Sequence, residues 1–475
     1  MDQDRTGGGP SAAGAEQGHG AGFAQWPPQG SAKERGRALR DKAPRESHAA
    51  LRLPADRPSV VAAVEQANAG RLSELVPIRI GRMAASPFAF LRGSAGLMAH
   101  DLAATPASGV VAQLCGDAHA ANFGVYGDAR GHLVMDINDF DETAPGPWEW
   151  DLKRLAASLV LAGRQAGASE QVCRQAAADA ASSYRRTMRR LAKMPAVDAW
   201  NAVPDEQLVT FTDAHELREV LDGVSAKALR NTSARFAAKS TVRGEDGRWR
   251  FTAAPPVLSE VSRAQAASVA GALDGYLATV PEELHPLLAR YSVQDVAFRI
   301  VGTGSVGTRS YVVLLTDRRE EPLVLQVKEA RASVLLAPLA RAGFAVAGPA
   351  GHEGRRVVLG QKRMQVVSDV LMGWATVDGL PYQVRQFRNR KGSVDPAALQ
   401  PALLDDYGRL TGALLARAHA HTAEAAVIAG YTGKGDELDR AVAAFAVAYA
   451  DQSEADHAEL VAAIRAGRLR AEFDV

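Results

Sequence analysis

Between Cys115 and Thr143 the sequence reads CGDAHAANFG and, after a short interval, MDINDFDET. Five acidic or amide side chains fall between Asp136 and Glu142, and apolar segments surround and interrupt the run: VVAQL (110–114), FGVY (123–126) and HLVMD (132–136). Carboxylates set beside a core are costly unless a cation compensates them. The strongest constraint on the fold is therefore an acidic cluster expected to bind a cation. Asp and Asn are also ordinary turn residues, and a solvated loop is the simpler alternative.

The flanking patterns place this cluster on secondary structure. Residues 110–114 read as a short strand, and FGVY, a GDARG turn and HLVMD read as a β-hairpin. WEWDLKRLAASLVLAGRQAG (148–167) reads as an amphipathic helix with Leu152, Leu155, Leu159 and Ala162 on one face. Upstream, PSVVAAVEQANAG (58–70) has helical spacing and a stop at Gly70, and residues 86–103 read as a buried turn and helix. A second hairpin is expected around EDGRWRF (245–251). From Val296 to Phe387 the runs AFRIVGTG, SYVVLL, LVLQVKEA, RRVVLGQ and YQVRQF read as strands. Helix returns beyond Asp395, most clearly at 405–424.

This gives a division of the chain. Residues 1–32, rich in Gly, Ala, Gln and Pro, are expected to be a disordered tail, and the basic stretch 32–55 a solvated arm. Residues 33–292 are read as a helical lobe carrying the acidic loops, 293–395 as a strand-rich lobe, and 396–475 as helices completing the first lobe. A net charge of +1 argues against a nucleic-acid or membrane partner. Two cysteines and no signal-peptide pattern point to a reducing, cytoplasmic setting, and no apolar stretch reaches the roughly 20 residues of a membrane span. Oligomeric state is not legible.

Phosphoryl transfer requires a carboxylate to orient the attacking group and hard oxygen ligands for magnesium on the nucleotide phosphates. Asp117 and Asn122 have the separation of base and metal-binding Asn in kinase catalytic loops. The hairpin then returns the chain to Asp136, Asp139 and Asp141, candidate metal ligands among which Asp139 is preferred. Far downstream, GTGSVG supplies Gly302, Gly304, Ser305 and Gly307 between strand-like segments, a context for cradling phosphates. Lys328, on the next strand, is placed to contact the α- and β-phosphates. The expected cofactors are ATP, or another nucleoside triphosphate, and Mg2+. The order is inverted relative to kinases, since the glycine loop follows the catalytic loop. A circular permutation resolves this, with LTGALLARAHAH restored ahead of residue 110. No partner for Lys328 is identifiable: Glu329 points to the opposite face of its strand, and Glu353 carries no pattern. Arg385 and Gln365 are polar groups on apolar strands, able to face a nucleotide or to be satisfied within the core.

Asp-Ala-His-Ala-Ala-Asn, with His119, resembles the catalytic loop of aminoglycoside and choline kinases, and Asp139-Phe140 resembles the start of their metal motif. PGPWEWDLKRLA resembles the segment that follows it, in which the residue matching Asp151 steadies the loop. Cys115 stands where those families have His, which removes a group that braces Asp117. Taken together, PIRIGRMAASPFAFLRGSAGLMAHDLA, CGDAHAANFG, DINDFDETAPGPWEWDLKRLAASLVLAG, GTGSVGTRSYVVLL, LQVKEA, GQKRMQ and LARAHAH resemble the bacterial family called domain of unknown function 2252. The resemblance implies an α+β, two-lobed kinase-like fold, circularly permuted, with a helical lobe and a smaller antiparallel β lobe. It places Arg79, Arg82 and Arg92 near the catalytic loop, either binding phosphate or an acidic acceptor or serving structure.

The leading expectation is an ATP- and magnesium-dependent phosphotransferase acting on a small molecule. AMP transfer is a variant, and a non-catalytic nucleotide-binding module is the alternative class. A two-metal phosphoesterase would need histidine motifs that the chain lacks. The acceptor is not named by the sequence; its pocket is expected within 165–290.

Overall fold

The computed structural model describes residues 29–202, 212–300, 302–345 and 351–473. Most of the expected tail, 1–28, lies outside the described residues. Its last four positions open a helix, α1 (Gln29–Lys42), in which Ala32 is fully buried. The basic arm is docked in part: Arg40 donates to the carbonyls of Gly430 and Tyr431, and Arg45 to that of Thr432.

The fold is mixed α+β with antiparallel sheets. Strand β1 (Val111–Leu114) leads into the first acidic loop. Strands β2 (Phe123–Gly127) and β3 (Leu133–Ile137) form the expected hairpin, closed by Asp128 Oδ1 accepting from the amides of Arg130 and His132, both at 2.8 Å. Strand β4 (Ala144–Pro147) returns to pair with β1. Helix α2 (Pro87–Gly93) precedes them. After β4 come α3 (Glu149–Gln165) and α4 (Glu170–Leu191), and near the C-terminus α8 (Leu404–Ala420) and α9 (Glu437–Arg465) pack on these two. Together they bury one continuous apolar core. Leu152, Leu155, Leu159 and Ala162 of α3 lie in it, as the helical spacing requires.

The second body is a six-stranded antiparallel sheet. Helix α5 (Ser233–Ser240), strands β5 (Thr241–Arg243) and β6 (Trp249–Phe251), and strand β7 (Leu258–Glu260) lead into it, followed by helix α6 (Arg263–Leu277). Then come β8 (Ser292–Arg299), β9 (Ser310–Thr316), β10 (Pro322–Glu329), helix α7 (Glu353–Met364), β11 (Gly373–Val377) and β12 (Leu380–Gln386). The sheet order is β11-β12-β10-β9-β8-β7. A short β13 (Gly392–Ser393) then joins the edge of β2. Alternation sorts the sheet's side chains. Tyr311, Val313, Leu325, Val327 and Val384 face one core with Val269 and Tyr276 of α6. Val312, Leu314 and Val324 face the opposite side with residues of α5 and β6.

Two expectations are corrected. RRVVLGQ is not a strand: its β-branched pair sits in α7, where Val357, Gln361 and Met364 share the buried face and His352 caps the first turn through the Arg355 amide. The sheet also begins before residue 293. β7 pairs with β8, and α6 covers the face behind it. A three-residue strand carries too little alternation to be read from sequence.

Candidate functional site

The polypeptide from Cys115 to Asn122 is fastened from behind by α3. Asp151, Arg154 and Ser158 recur at helical spacing and so share one face of that helix. Asp151 accepts from the amides of Cys115 at 2.8 Å and Gly116 at 3.1 Å. Arg154 Nε donates to Asp117 Oδ1 at 2.6 Å, and Ser158 Oγ accepts from the Ala120 amide at 2.8 Å. Helix α8 adds His419, whose Nε2 lies 3.3 Å from Asp151 Oδ2, and Tyr407, whose hydroxyl donates to the Ala120 carbonyl. The role implied for Asp151 is thus visible, and it works through backbone amides. Cys115, with its thiol buried, leaves that bracing intact. Sequence reasoning missed Arg154 and Ser158, although polar residues at positions i, i+3 and i+7 of a buried helix were the available signal.

Asn122 Nδ2 donates to the carbonyls of Asp117 and Asp139, both at 3.0 Å. This joins the first loop to the turn after β3 and leaves Oδ1 as the free acceptor of that amide. His119 lies 3.7 Å from Asp117 Oδ2. Burial above all, with Arg92 and Arg154 against the opposing pull of Asp117, drops its pKa from the ordinary 6.5 to about 4.

The sheet reaches this point through β10. Lys328, almost fully buried, forms an ion pair with Asp141 Oδ2, the oxygen that also accepts from Ser305 Oγ at 3.1 Å. Gln383 of β12, directly across from Lys328, donates to Asp141 Oδ1 at 3.0 Å. The partner of Lys328 is therefore Asp141. Glu329, on the other face, takes the amide and guanidinium of Arg309. Glu353 pairs with Arg356, and Arg356 reaches from α7 to the carbonyls of Asp141, Thr143 and Arg331.

Among the described residues, the one hydrogen bond to the Asp139 carboxylate is that of the Asp141 amide to Oδ1, at 3.2 Å. Burial by itself raises its pKa, but Lys328, Arg385, that amide and Lys391 outweigh burial and hold it well below the usual carboxylate range. Asp136 is committed elsewhere. It is fully buried, accepts from the Ile137 amide, and stands 2.6 Å from Arg417 of α8 in an ion pair whose angle does not make a hydrogen bond. Arg385 donates through Nε to Gln326 and is partly exposed, and Gln365 ends α7 and donates to the Ile137 carbonyl. Arg79 is buried against Asn68 and the Gly93 carbonyl. Arg92 lies over the Phe88 ring with its Nε buried and without a hydrogen-bond partner.

Gly302 and Gly304 are exposed, and the loop's far end is tied down by Arg71 to the Val306 carbonyl and by the Leu72 amide to that of Gly307. Asp117, Asn122, Asp139, Lys328 and Ser305 are thus brought together around one acidic turn, with Asp141 at its centre. Among the described residues no group of three or more His, Cys, Asp or Glu side chains is arranged to hold a metal ion unaided. A magnesium site completed by substrate phosphates needs only one or two protein carboxylates, and ionised Asp139 with the Asn122 Oδ1 fits that pattern. Two buried acceptors nearby, Asn138 Oδ1 and Gln383 Oε1, have no partner within the protein.

No helix among the described residues is long and apolar enough to cross a membrane. No curated protein and no solved structure matches the sequence. The model of one family, described as an uncharacterized protein conserved in bacteria (DUF2252), matches residues 71–463. That span is well over half of the chain, and the chain belongs to that bacterial family.

Proposed function

We propose that this site performs kinase-like phosphoryl transfer from a magnesium-bound nucleoside triphosphate to a small-molecule acceptor. The observation that carries the reading is the meeting of Lys328 and Ser305 with Asp141, two residues beyond Asp139. Side chains 164 and 187 positions away in the sequence converge on one acidic turn, which supports a site for phosphoryl transfer. The succession β8, glycine loop, β9, Lys328 on β10, helix α7, β11, β12 supports a kinase-like sheet. A circular permutation is supported by α8, since Thr422, just past its end, accepts from the Gln113 amide at 2.8 Å. Helix α8 thereby leads in space into β1 and the Asp117 loop, as the helix before a catalytic loop does.

In this reading Asp117 orients the acceptor hydroxyl and takes its proton, held in place by Arg154. Asp139 and Asn122 hold the magnesium, which when bound neutralises phosphate charge. Lys328 and the exposed amides of the glycine loop bind the phosphate chain. Two readings remain beside it. AMP transfer would use the same groups. A non-catalytic binding module is favoured by one observation, the pairing of Lys328 with Asp141 rather than with a helix glutamate. Calorimetry of ATP with and without magnesium, repeated on Asp139→Ala, tests the site. The variant is expected to lose the metal-dependent part of the affinity; unchanged affinity would remove Asp139 from the site. ATP consumption in an acceptor screen then separates enzyme from binding module.

A further inference from the structure

The face of the sheet that carries Lys328 is covered at its apolar end, while Arg385 in its middle stays partly exposed. From Lys328 the face runs through Gln326 to Val324 on β10, through Ser310, Val312 and Leu314 on β9, and through Gln383 and Arg385 on β12. In its polar middle Gln326 donates to Ser310 Oγ at 3.3 Å and accepts from Arg385 Nε at 2.9 Å, while Gln383 Oε1 is buried without a hydrogen-bond partner among the described residues. Beyond that point Val312, Leu314 and Val324 are at most 1% exposed, covered by Phe236 and Ala237 of α5, Phe251 of β6 and Phe387. The Phe236 and Phe387 rings meet edge to face at 4.8 Å, and the Arg299 guanidinium lies over both.

The backbone that leaves β12 is occupied as well. Ser233 Oγ donates to the Phe387 carbonyl, the Asn231 carbonyl accepts from the Arg390 amide, and Asn231 Nδ2 donates to the Lys391 carbonyl at 2.6 Å. The space beside Arg385 and Lys391 has room for little more than a water molecule. Around Gly302, by contrast, an added Cβ would meet nothing within 4 Å.

Among the described residues, the apolar end of this face offers no open surface to the base of a nucleotide whose phosphates rest on Lys328 and the glycine loop. We propose that the site recognises its donor by the magnesium-polyphosphate chain alone, and that the base is not read. Its substrate class is then any nucleoside triphosphate, with inorganic tripolyphosphate binding as well. Hydrogen bonds and stacking from a base are what distinguish one donor from another, and here Phe236, Ala237 and Phe251 already cover the apolar end of the face.

The inference rests on the phosphotransfer reading, and one experiment separates the two. ATP, GTP and tripolyphosphate, each with magnesium, are titrated into the wild-type chain and into Lys328→Ala. All three are expected to bind the wild type within about threefold of one another, and all to weaken together in the variant. ATP binding tighter than GTP or tripolyphosphate by about tenfold or more would overturn the inference while leaving the phosphate site standing. No binding to the wild type, or binding that Lys328→Ala leaves unchanged, would overturn the site itself and this inference with it.

Discussion

Two loops meet at the acidic turn, one bearing Asp117 and Asn122, the other Gly302 and Gly304. Three buried side chains of α3 and one of α8 fasten the first loop, engaging the amides of Cys115, Gly116 and Ala120, the Ala120 carbonyl and the carboxylate of Asp117, and His419 of α8 stands behind Asp151. Among the described residues, the second has its ties at the far end, at Val306 and Gly307, and one side-chain bond from Ser305 to Asp141. The difference has a physical meaning. A group that must orient a reacting atom gains from being held before the ligand arrives. Backbone amides that wrap a phosphate chain can be ordered by the ligand they bind. The contrast predicts that stability is concentrated on the Asp117 side and ligand response on the glycine side.

Removing the brace should have the largest effect. Asp151→Ala leaves the Cys115 and Gly116 amides and His419 without their acceptor inside the core. Breaking one partner out of such a buried set costs about 3–5 kcal/mol, read as a shift of the denaturant midpoint. A loss under about 1 kcal/mol would mean that the loop holds itself and that the contrast is false.

Acid should find the same side of the site next. In the folded chain His119 titrates near 4, against 6.5 for the free side chain. Between those values the unfolded chain takes up a proton that the folded one does not, so stability falls as pH drops from about 6.5 to 4 and levels off below. Above 6.5 the imidazole is neutral in both states and contributes no pH dependence. The loss is of the order of 2–3 kcal/mol. Denaturation of wild type and His119→Asn across this range should give curves that diverge in acid, with the variant flatter. Parallel curves would assign the acid sensitivity to other groups.

How much of this was legible in the sequence follows the same division. That Asp117, Asn122, Asp139 and Lys328 gather about one acidic turn was legible, because each lies in a short motif with fixed spacing. The brace was half legible. Asp151 came through resemblance, whereas Arg154 and Ser158 required knowing that a helix can turn its polar face inward onto a loop. Asp141 was placed among the metal ligands, and its pairing with Lys328 could not be read, because a contact across 187 positions leaves no local pattern. Asp136 looked equivalent to Asp139 from composition. Its strand position turns it toward Arg417, a cation contributed from the far end of the chain. Helix α7 was missed because two adjacent valines fit a strand as well as a buried helix face.

The smallest effects lie in a pair of glycines, one in each loop. Gly116 has φ +83°, and a Cβ there would stand 2.2 Å from the Glu142 carbonyl oxygen. Alanine at this position is strained in its backbone and blocked by an atom that cannot swing away, at a cost of about 1–3 kcal/mol. Gly302 has φ −56° and ψ 169°, a conformation open to any residue, and nothing lies near its missing side chain. Gly302→Ala should therefore stay within about 0.5 kcal/mol of the wild type in denaturant unfolding. Its effect should appear on the ligand instead, as a several-fold weaker affinity for magnesium tripolyphosphate, because a methyl group would stand where the backbone approaches the phosphates. Should Gly302→Ala unfold as readily as Gly116→Ala, the glycine loop would be as tightly built as its counterpart. Should its stability and its tripolyphosphate affinity both match the wild type, the loop would not be where the phosphates bind.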